Sequence, residues 1–289
     1  MMLRDLRRNA QLVCTLAAFA ALLGTAACAR GGMPLWREEA ANRLAVPANL
    51  HRRQVTADPF SIAVFERVYA EGKPATIYFE GDGENGAASM NPTPDYPVGL
   101  HLATRDLSDN VIYIARPCQY SGTIADDSKC PKEFWGDRRF SLEVMESMNT
   151  VLDKLKRRYD IRGFNLVGYG GGAAVATMLA AKRGDVLSLR TVAGNLDSAA
   201  LNAKLGRAPL TGSMNPRDFA ADVAHIPQHH FIGVGDKVVD SSIYESFRNA
   251  MGPSTCARYS IVDETTHEEG WVNRWPSLLM QPLGCNAGP

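Results

Sequence analysis

The chain lacks an excess of charge of either sign, because its 31 basic side chains are balanced by 31 acidic ones. Proteins that bind nucleic acid usually present a basic face, so this balance predicts no nucleic-acid partner. Beyond the first 30 residues the sequence also has no continuous apolar run of the roughly 20 residues that a membrane-spanning helix needs. What is present, 289 residues at 45% hydrophobic content, suffices for one sizeable α/β domain and a leader.

The start of the chain has the composition of a leader. Three arginines among the first eight residues precede an apolar run over residues 12–23, and small residues lead to Cys28. This order is typical of a secretory signal. Cys28 after two alanines resembles a bacterial lipobox, in which the thiol is lipidated, although Thr25 stands where leucine is preferred. We predict a signal over residues 1–28 and an exported lipoprotein that contacts the membrane through a lipid on Cys28 and faces the periplasm. Cleavage beside the flanking alanines, giving a soluble periplasmic or secreted protein, is the alternative.

Cysteines are few, and their number is informative. Of the six, one lies in the leader and another is Cys28, which leaves an even number for an oxidising compartment. Proximity in sequence favours the pairs Cys118–Cys130 and Cys256–Cys285, although four cysteines allow three pairings. No C-x-x-C pair with a neighbouring histidine completes a zinc set, so no metal is predicted.

The remaining sequence divides into a short connection and a domain. Residues 29–53 contain two glycines and two prolines and are predicted to form a tether, with a domain over residues 54–289. Short apolar runs then alternate with helical patterns, which predicts a mostly parallel sheet with helices on both faces. The predicted strands are Ser61–Tyr69, Ala75–Phe79, Val111–Ala115, Phe164–Val167, Leu187–Ala193, His230–Val234 and Arg258–Val262. The predicted helices are Leu142–Leu155, Ala173–Lys182, Ser241–Met251 and Glu269–Met280.

One strand runs directly into a glycine-rich turn, Gly168-Tyr169-Gly170-Gly171-Gly172. Over residues 168–173 this turn matches the dinucleotide fingerprint G-x-G-x-x-G/A. It also matches the nucleophile elbow G-x-S-x-G, with Gly170 at the position of the serine. The acidic residue that a dinucleotide site needs at the end of the next strand is missing, so the elbow is favoured and dinucleotide binding is the alternative.

Three further motifs follow strands in the order that the elbow interpretation requires. Asp236 lies in the turn after the strand His230–Val234, and His267 lies in the loop after the last strand. Upstream, Glu80-Gly81-Asp82-Gly83 follows an early strand. This combination resembles the α/β hydrolases over residues 55–285. The resemblance implies a single α/β-hydrolase-type domain with Asp236 as acid, His267 as base, and an oxyanion hole at Gly171, Gly81 and Asp82.

The departure from that family lies at the centre of the motif, because Gly170 has no hydroxyl to attack a substrate. We therefore predict an impaired or inactive serine hydrolase that uses no cofactor and binds a small-molecule or ester-like ligand, or a protein partner of unknown kind, in the former active-site cleft. The alternative is an active esterase-like or lipase-like hydrolase in which His267 and Asp236 act on water or another nucleophile. Of the nearby hydroxyls, Tyr169 is expected to point away from Gly170, and Ser121 is expected to be structural.

Overall fold

The computed structural model describes residues 35–83, 91–121 and 130–285, which form one α/β domain around a single sheet. The predicted signal and Cys28 lie outside the described residues. The strands are β1 (His51–Ala57), β2 (Phe60–Val68), β3 (Ala75–Phe79), β4 (Asn110–Ile114), β5 (Phe164–Tyr169), β6 (Val186–Val192), β7 (Gln228–Gly233) and β8 (Ala257–Val262). The α-helices are α1 (Leu35–Ala45), α2 (Val98–Arg105), α3 (Leu142–Tyr159), α4 (Gly171–Lys182), α5 (Ser198–Lys204), α6 (Ser241–Met251) and α7 (Trp271–Leu279).

The sheet has the strand order β1-β2-β4-β3-β5-β6-β7-β8. β2 is antiparallel to both of its neighbours, and all strands from β4 to β8 in that order are parallel. The mostly parallel α/β architecture that the sequence predicts is therefore confirmed. Because parallel strands point the same way, the loops that follow β3, β5, β7 and β8 all leave from one edge of the sheet, which positions the predicted site residues there.

Two layers of helices enclose the sheet. Alternation along β3 shows how the layers form, since Ile77 and Phe79 join a core with α3, α4 and α6, whereas Tyr78 joins a core with α1, α2 and α7. Helix α4 is buried from Gly171 to Ala180, as expected for a central helix that packs on every side. None of the helices in the described ranges is long and apolar enough to cross a membrane.

The predicted tether is wrong for the part of it that the structure describes. Helix α1 begins at Leu35, and Ala41 and Ala45 are buried in the core. Its Arg37 donates to the carbonyl of Thr93 at 2.8 Å and pairs with Asp95. The domain thus begins before residue 54, and two buried alanines are too weak a pattern to reveal this from sequence.

Helix α2 was also missed by the sequence patterns, for a different reason. Its first N–H groups are satisfied by a carboxylate from another part of the chain: Glu80 accepts from Gly99 at 3.1 Å and from Leu100 at 3.3 Å. A helix that is capped from 19 residues away carries no local capping signal.

The structure joins Cys118 to Cys130 and Cys256 to Cys285, which are the pairs that sequence proximity favours. Cys118 of the first disulfide lies in a turn that supports the sheet edge described above. In this turn Gln119 donates from its side chain to the carbonyls of Gly81 at 3.1 Å and Pro92 at 3.2 Å.

His230 in β7 gives the fold a specific pH dependence. It is fully buried between Thr191 Oγ1 at 2.8 Å and Gln228 Oε1 at 3.1 Å. Burial, reinforced by neighbouring His229, lowers its pKa to about 3. Between about pH 6.5 and pH 3 the unfolded chain therefore binds a proton that the folded chain does not. The free energy of unfolding decreases as the pH is lowered through that window, by up to about 1.4 kcal/mol per pH unit.

Urea unfolding measured between about pH 7 and pH 4 tests this effect. We expect His230→Gln to unfold more easily at neutral pH but to lose stability less steeply on acidification than the unmodified chain. Equal slopes in the two proteins would show that His230 does not control the acid limb.

Candidate active site

Gly170 occupies a sharp turn between β5 and α4. Its φ of +51° and ψ of −120° lie where side-chain-bearing residues are rarely found. The turn is fixed on both sides, because the Gly170 N–H donates to Val192 at 3.0 Å and its carbonyl accepts from Asn195 at 2.9 Å. This is the strained strand-to-helix geometry of a nucleophile elbow.

The glycines that frame the turn are required by packing. A Cβ built on Gly168 would lie 2.5 Å from the backbone nitrogen of Ala173, and one on Gly172 would lie 2.6 Å from the carbonyl oxygen of Glu80. Real Cβ atoms essentially never approach so closely, so both positions need glycine for α4 to sit against the sheet.

Gly170 is different, because the space beside it is open. A Cβ built there would lie 3.8 Å from His267 Nε2 and 3.9 Å from the Cα of Gly81, both ordinary contacts. A serine hydroxyl, one bond further out, would come within hydrogen-bond distance of the imidazole. The structure therefore places the open space beside Gly170 next to His267 Nε2.

His267 and Asp236 form a hydrogen-bonded pair. His267 Nδ1 lies 3.0 Å from Asp236 Oδ2, and the carboxylate is buried while the imidazole is 25% exposed. The other carboxylate oxygen accepts the N–H groups of Val238 and Val239, each at 2.8 Å. Because a carboxylate can only accept hydrogen bonds, Nδ1 carries the proton and Nε2 presents its lone pair toward Gly170. Asp236 thus orients the imidazole; it does not cap α6, whose cap is Asp240.

The loop that carries His267 is held rigidly. Buried Trp271 donates from its indole to the carbonyls of Thr266 at 2.9 Å and His267 at 3.1 Å. The N–H of Gly235, next to Asp236, donates to Thr265 at 2.9 Å, which ties the loops after β7 and β8 together. These bonds keep the imidazole in place without any contact to a ligand.

The predicted oxyanion hole is only partly as expected. The Gly81 N–H already donates to Glu80 Oε1 at 2.9 Å, so it is engaged. The Gly171 N–H lies in the first turn of α4, where no intrahelical partner exists, and Gly171 lines the cavity. The Asp82 N–H makes no hydrogen bond to any residue within the described ranges. Gly171 and Asp82 are therefore the two predicted members whose N–H groups donate to no residue in the described ranges.

The side chain of Asp82 has a role that the sequence did not indicate. Its carboxylate accepts from Arg116 at 3.0 Å and pairs with Arg139 at 3.2 Å, and both arginines are buried. It also fills the space that any side chain at residue 171 would need. The position of Arg116, two residues after the end of β4, was the sequence feature that could have indicated this role. A dinucleotide pyrophosphate at the N-terminus of α4 would meet this carboxylate, so the geometry gives no support to dinucleotide binding.

These groups surround a cavity of about 450 Å³. The lining comes from the loops that follow β3, β5, β7 and β8, from Arg139 and from three residues of the stretch 195–226. The lining residues are Glu80, Gly81, Asp82, Gly83, Pro94, Asp95, Tyr96, Arg139, Tyr169, Gly170, Gly171, Asn195, Leu201, Arg207, Val238, Val239, His267 and Glu268. In the described ranges, no group of three or more histidines, cysteines and carboxylates is arranged to hold a metal ion.

The two alternative hydroxyls lie in different places. The expectation that Tyr169 points away is wrong, because its ring lines the cavity with its centroid 5.6 Å from that of His267. Burial raises the pKa of Tyr169 well above its ordinary value, so the phenol stays protonated and is a poor nucleophile. Ser121 donates to the Cys118 carbonyl at 3.3 Å and lies outside the cavity lining.

Comparison with known proteins supports the fold. No family model and no curated protein matches the sequence. Among solved structures, a serine hydrolase homologue from Coxiella burnetii is similar over 78% of this chain and 92% of its own, with a TM-score of 0.54 and 14% identity. A membrane phospholipase A, described as a bacterial virulence factor, is similar over 92% and 97% (TM-score 0.58, 14% identity). An esterase from Pyrococcus furiosus is similar over 81% and 92% (TM-score 0.57, 12% identity). The chain has the α/β-hydrolase fold.

Proposed function

We propose that this α/β-hydrolase-like protein binds a small-molecule or ester-like ligand in the cavity beside Gly170 and forms no acyl-enzyme. One observation carries the proposal: a glycine stands at the elbow, facing a histidine–aspartate pair whose free nitrogen is 3.8 Å from the position of a Cβ. Without a hydroxyl at residue 170, the elbow offers no atom to which an acyl group can be transferred. The base and its orienting acid remain, but the covalent route is closed.

The cavity supports ligand binding independently of the chemistry. Its volume of about 450 Å³ lies within the range of small-molecule sites, about 300–1,000 Å³. Apolar Leu201 and Val239 line it together with the polar groups of Asn195 and His267, a mixture that can both hold and orient a ligand. Glycine at residue 170 also removes the backbone strain of about 1–3 kcal/mol that a side chain would cost there.

The proposal includes export. The leader over residues 1–28 and the lipobox-like Cys28 are the reasons to propose a membrane-anchored protein facing the periplasm. Two disulfides in the domain suit an oxidising compartment, because cytosolic proteins rarely keep them.

Covalent labelling tests the absence of an acyl-enzyme. We expect the unmodified protein to show no mass increase after incubation with a fluorophosphonate, because the probe reacts with an activated serine. No burst of product should accompany exposure to an activated ester. Stoichiometric labelling of any residue in the cavity would contradict the proposal.

Ligand binding has its own measurement. A panel of short-chain esters and acids, tested by thermal shift, should contain compounds that stabilise the protein; a ligand at 100 times its Kd adds about 2.7 kcal/mol. Leu201→Trp fills part of the cavity and should remove the stabilisation, whereas Leu187→Trp, at an exposed site on β6, serves as the matched control. Stabilisation that survives Leu201→Trp would place the ligand elsewhere.

A further inference from the structure

We propose that the unmodified protein also hydrolyses activated carboxylic esters slowly, with a water molecule held at His267 Nε2 attacking the ester directly. This activity rests on the proposed function in one respect, namely that the cavity admits an ester. It differs in that the base takes part in chemistry and no covalent intermediate forms.

The space beside Gly170 has room for a water molecule. An oxygen that hydrogen-bonds to a ring nitrogen lies about 2.7–3.2 Å from it. The Cβ position at Gly170 is 3.8 Å from Nε2, and the next wall, the Cα of Gly81, is 3.9 Å from the same point. An oxygen bonded to Nε2 therefore fits in the volume that a serine side chain would fill. A water molecule in this place stands where the attacking oxygen of a serine hydrolase stands.

The base is already positioned for proton transfer. Both oxygens of Asp236 are used, one by His267 and the other by the N–H groups of Val238 and Val239. The carboxylate therefore cannot turn away from the imidazole, and it stabilises the positive charge that forms when Nε2 takes a proton. The imidazole is held by its loop, so no rearrangement is needed before the proton is transferred.

Two backbone donors line the cavity on the side of the loop after β3. The N–H groups of Gly171 and Asp82 donate to no residue in the described ranges, so they can donate to a carbonyl oxygen that becomes negative. Buried Arg116 and Arg139 hold the Asp82 carboxylate, so its negative charge is partly neutralised where the oxyanion forms.

The reaction balances without any other reactant. The water oxygen forms a bond to the acyl carbon, one water proton moves to Nε2, and the carbonyl electron pair moves to the oxygen. When the tetrahedral species collapses, the bond to the leaving oxygen breaks. That oxygen takes the proton from Nε2, or it departs as a phenolate, which is protonated by solvent while Nε2 releases its proton to solvent. The products are a carboxylic acid and an alcohol or phenol, and the imidazole is returned to its neutral form.

The substrate class follows from the size of the effect. General-base catalysis by a positioned side chain contributes about 10²–10⁴-fold, which makes only esters with good leaving groups, such as phenyl esters, react measurably.

The test uses the domain with its disulfides intact and p-nitrophenyl acetate as the probe. We expect slow turnover without a burst, and a loss of about 100-fold in kcat/KM in His267→Ala. Because His225 is exposed and lies outside the cavity lining, His225→Ala is the matched control and should keep the activity. Gly170→Ala places a methyl group where the water would lie and should also lower the rate, by about tenfold or more.

Two readouts separate the outcomes. Turnover that persists in folded His267→Ala overturns the water mechanism. So does an absence of turnover in the unmodified protein when thermal shift shows that it binds the ester. Either result leaves the binding function standing. An acylated protein seen by mass spectrometry during turnover overturns the proposed function itself. If Gly170→Ala fails to fold, Asp236→Asn replaces it: the amide would reverse the imidazole tautomer, and activity that survives this change contradicts the mechanism.

Discussion

Gly170→Ser is expected to change the protein from one that a fluorophosphonate does not label into one that it labels stoichiometrically. The Cβ of the new residue has room, with its closest contacts at 3.8 Å and 3.9 Å, and its hydroxyl can reach His267 Nε2. Asp236 already fixes the imidazole, so the three groups of an active triad would be complete. Hydrolysis of p-nitrophenyl esters should rise together with labelling, and a burst should appear.

The gain in reactivity should be accompanied by a loss of stability. A side chain at a φ of +51° costs about 1–3 kcal/mol, which urea unfolding can measure. Gly170→Ala introduces the same strain without the hydroxyl, so it should lose a similar amount of stability and remain unlabelled. Combining Gly170→Ser with His267→Ala should abolish labelling. A folded Gly170→Ser protein that the probe does not modify would show that the loop after β3, and not residue 170 alone, prevents the reaction.

The sequence predicted the features that depend on local patterns and on chain order. Apolar runs located seven of the strands, and the turn after β5 placed Gly170 at the elbow. Chain order then singled out Asp236 and His267, which are 31 residues apart and which the structure brings within 3.0 Å of each other. Asp236 and His267 meet because parallel strands bring their following loops to one edge of the sheet, whatever the separation in sequence.

The features that the sequence did not reveal depend on contacts between distant residues. The capping of α2 by Glu80 and the pairing of Asp82 with Arg116 and Arg139 each join segments that share no local pattern. The direction of the Tyr169 ring was wrongly predicted for the same reason: the ring packs against His267, a residue of a different loop. Side-chain directions in a site of this kind are set by tertiary contacts, whereas the positions of the loops are set by the sheet.

The three consecutive glycines also meet different physical constraints. Gly170 lies at a positive φ with open space, Gly171 leaves room for the Asp82 carboxylate, and Gly172 lets α4 approach the end of β3. Only the first position can accept a side chain without a collision. Substitution of Gly170 should therefore change the chemistry of the site, whereas substitution of Gly172 should change the stability of the fold.

Gly172→Ala is accordingly expected to destabilise the fold by about 3 kcal/mol, a Tm lower by roughly 6–12 °C. The added Cβ would lie 2.6 Å from the Glu80 carbonyl oxygen and would also collide with the carbonyl of Phe79. Both atoms belong to the backbone, so the overlap can be relieved only by moving α4 away from β3. Thermal unfolding followed by circular dichroism measures the change.

Gly184→Ala is the matched control for this substitution. Gly184 follows α4, and a Cβ built on it has no heavy atom within 4 Å, so alanine there should be neutral or stabilising by about 0.4–1 kcal/mol. The contrast between two glycine-to-alanine changes near the two ends of one helix isolates the close approach of α4 to β3. A neutral Gly172→Ala would contradict that approach, and with it the distance between Gly170 and His267 on which the proposed function is based.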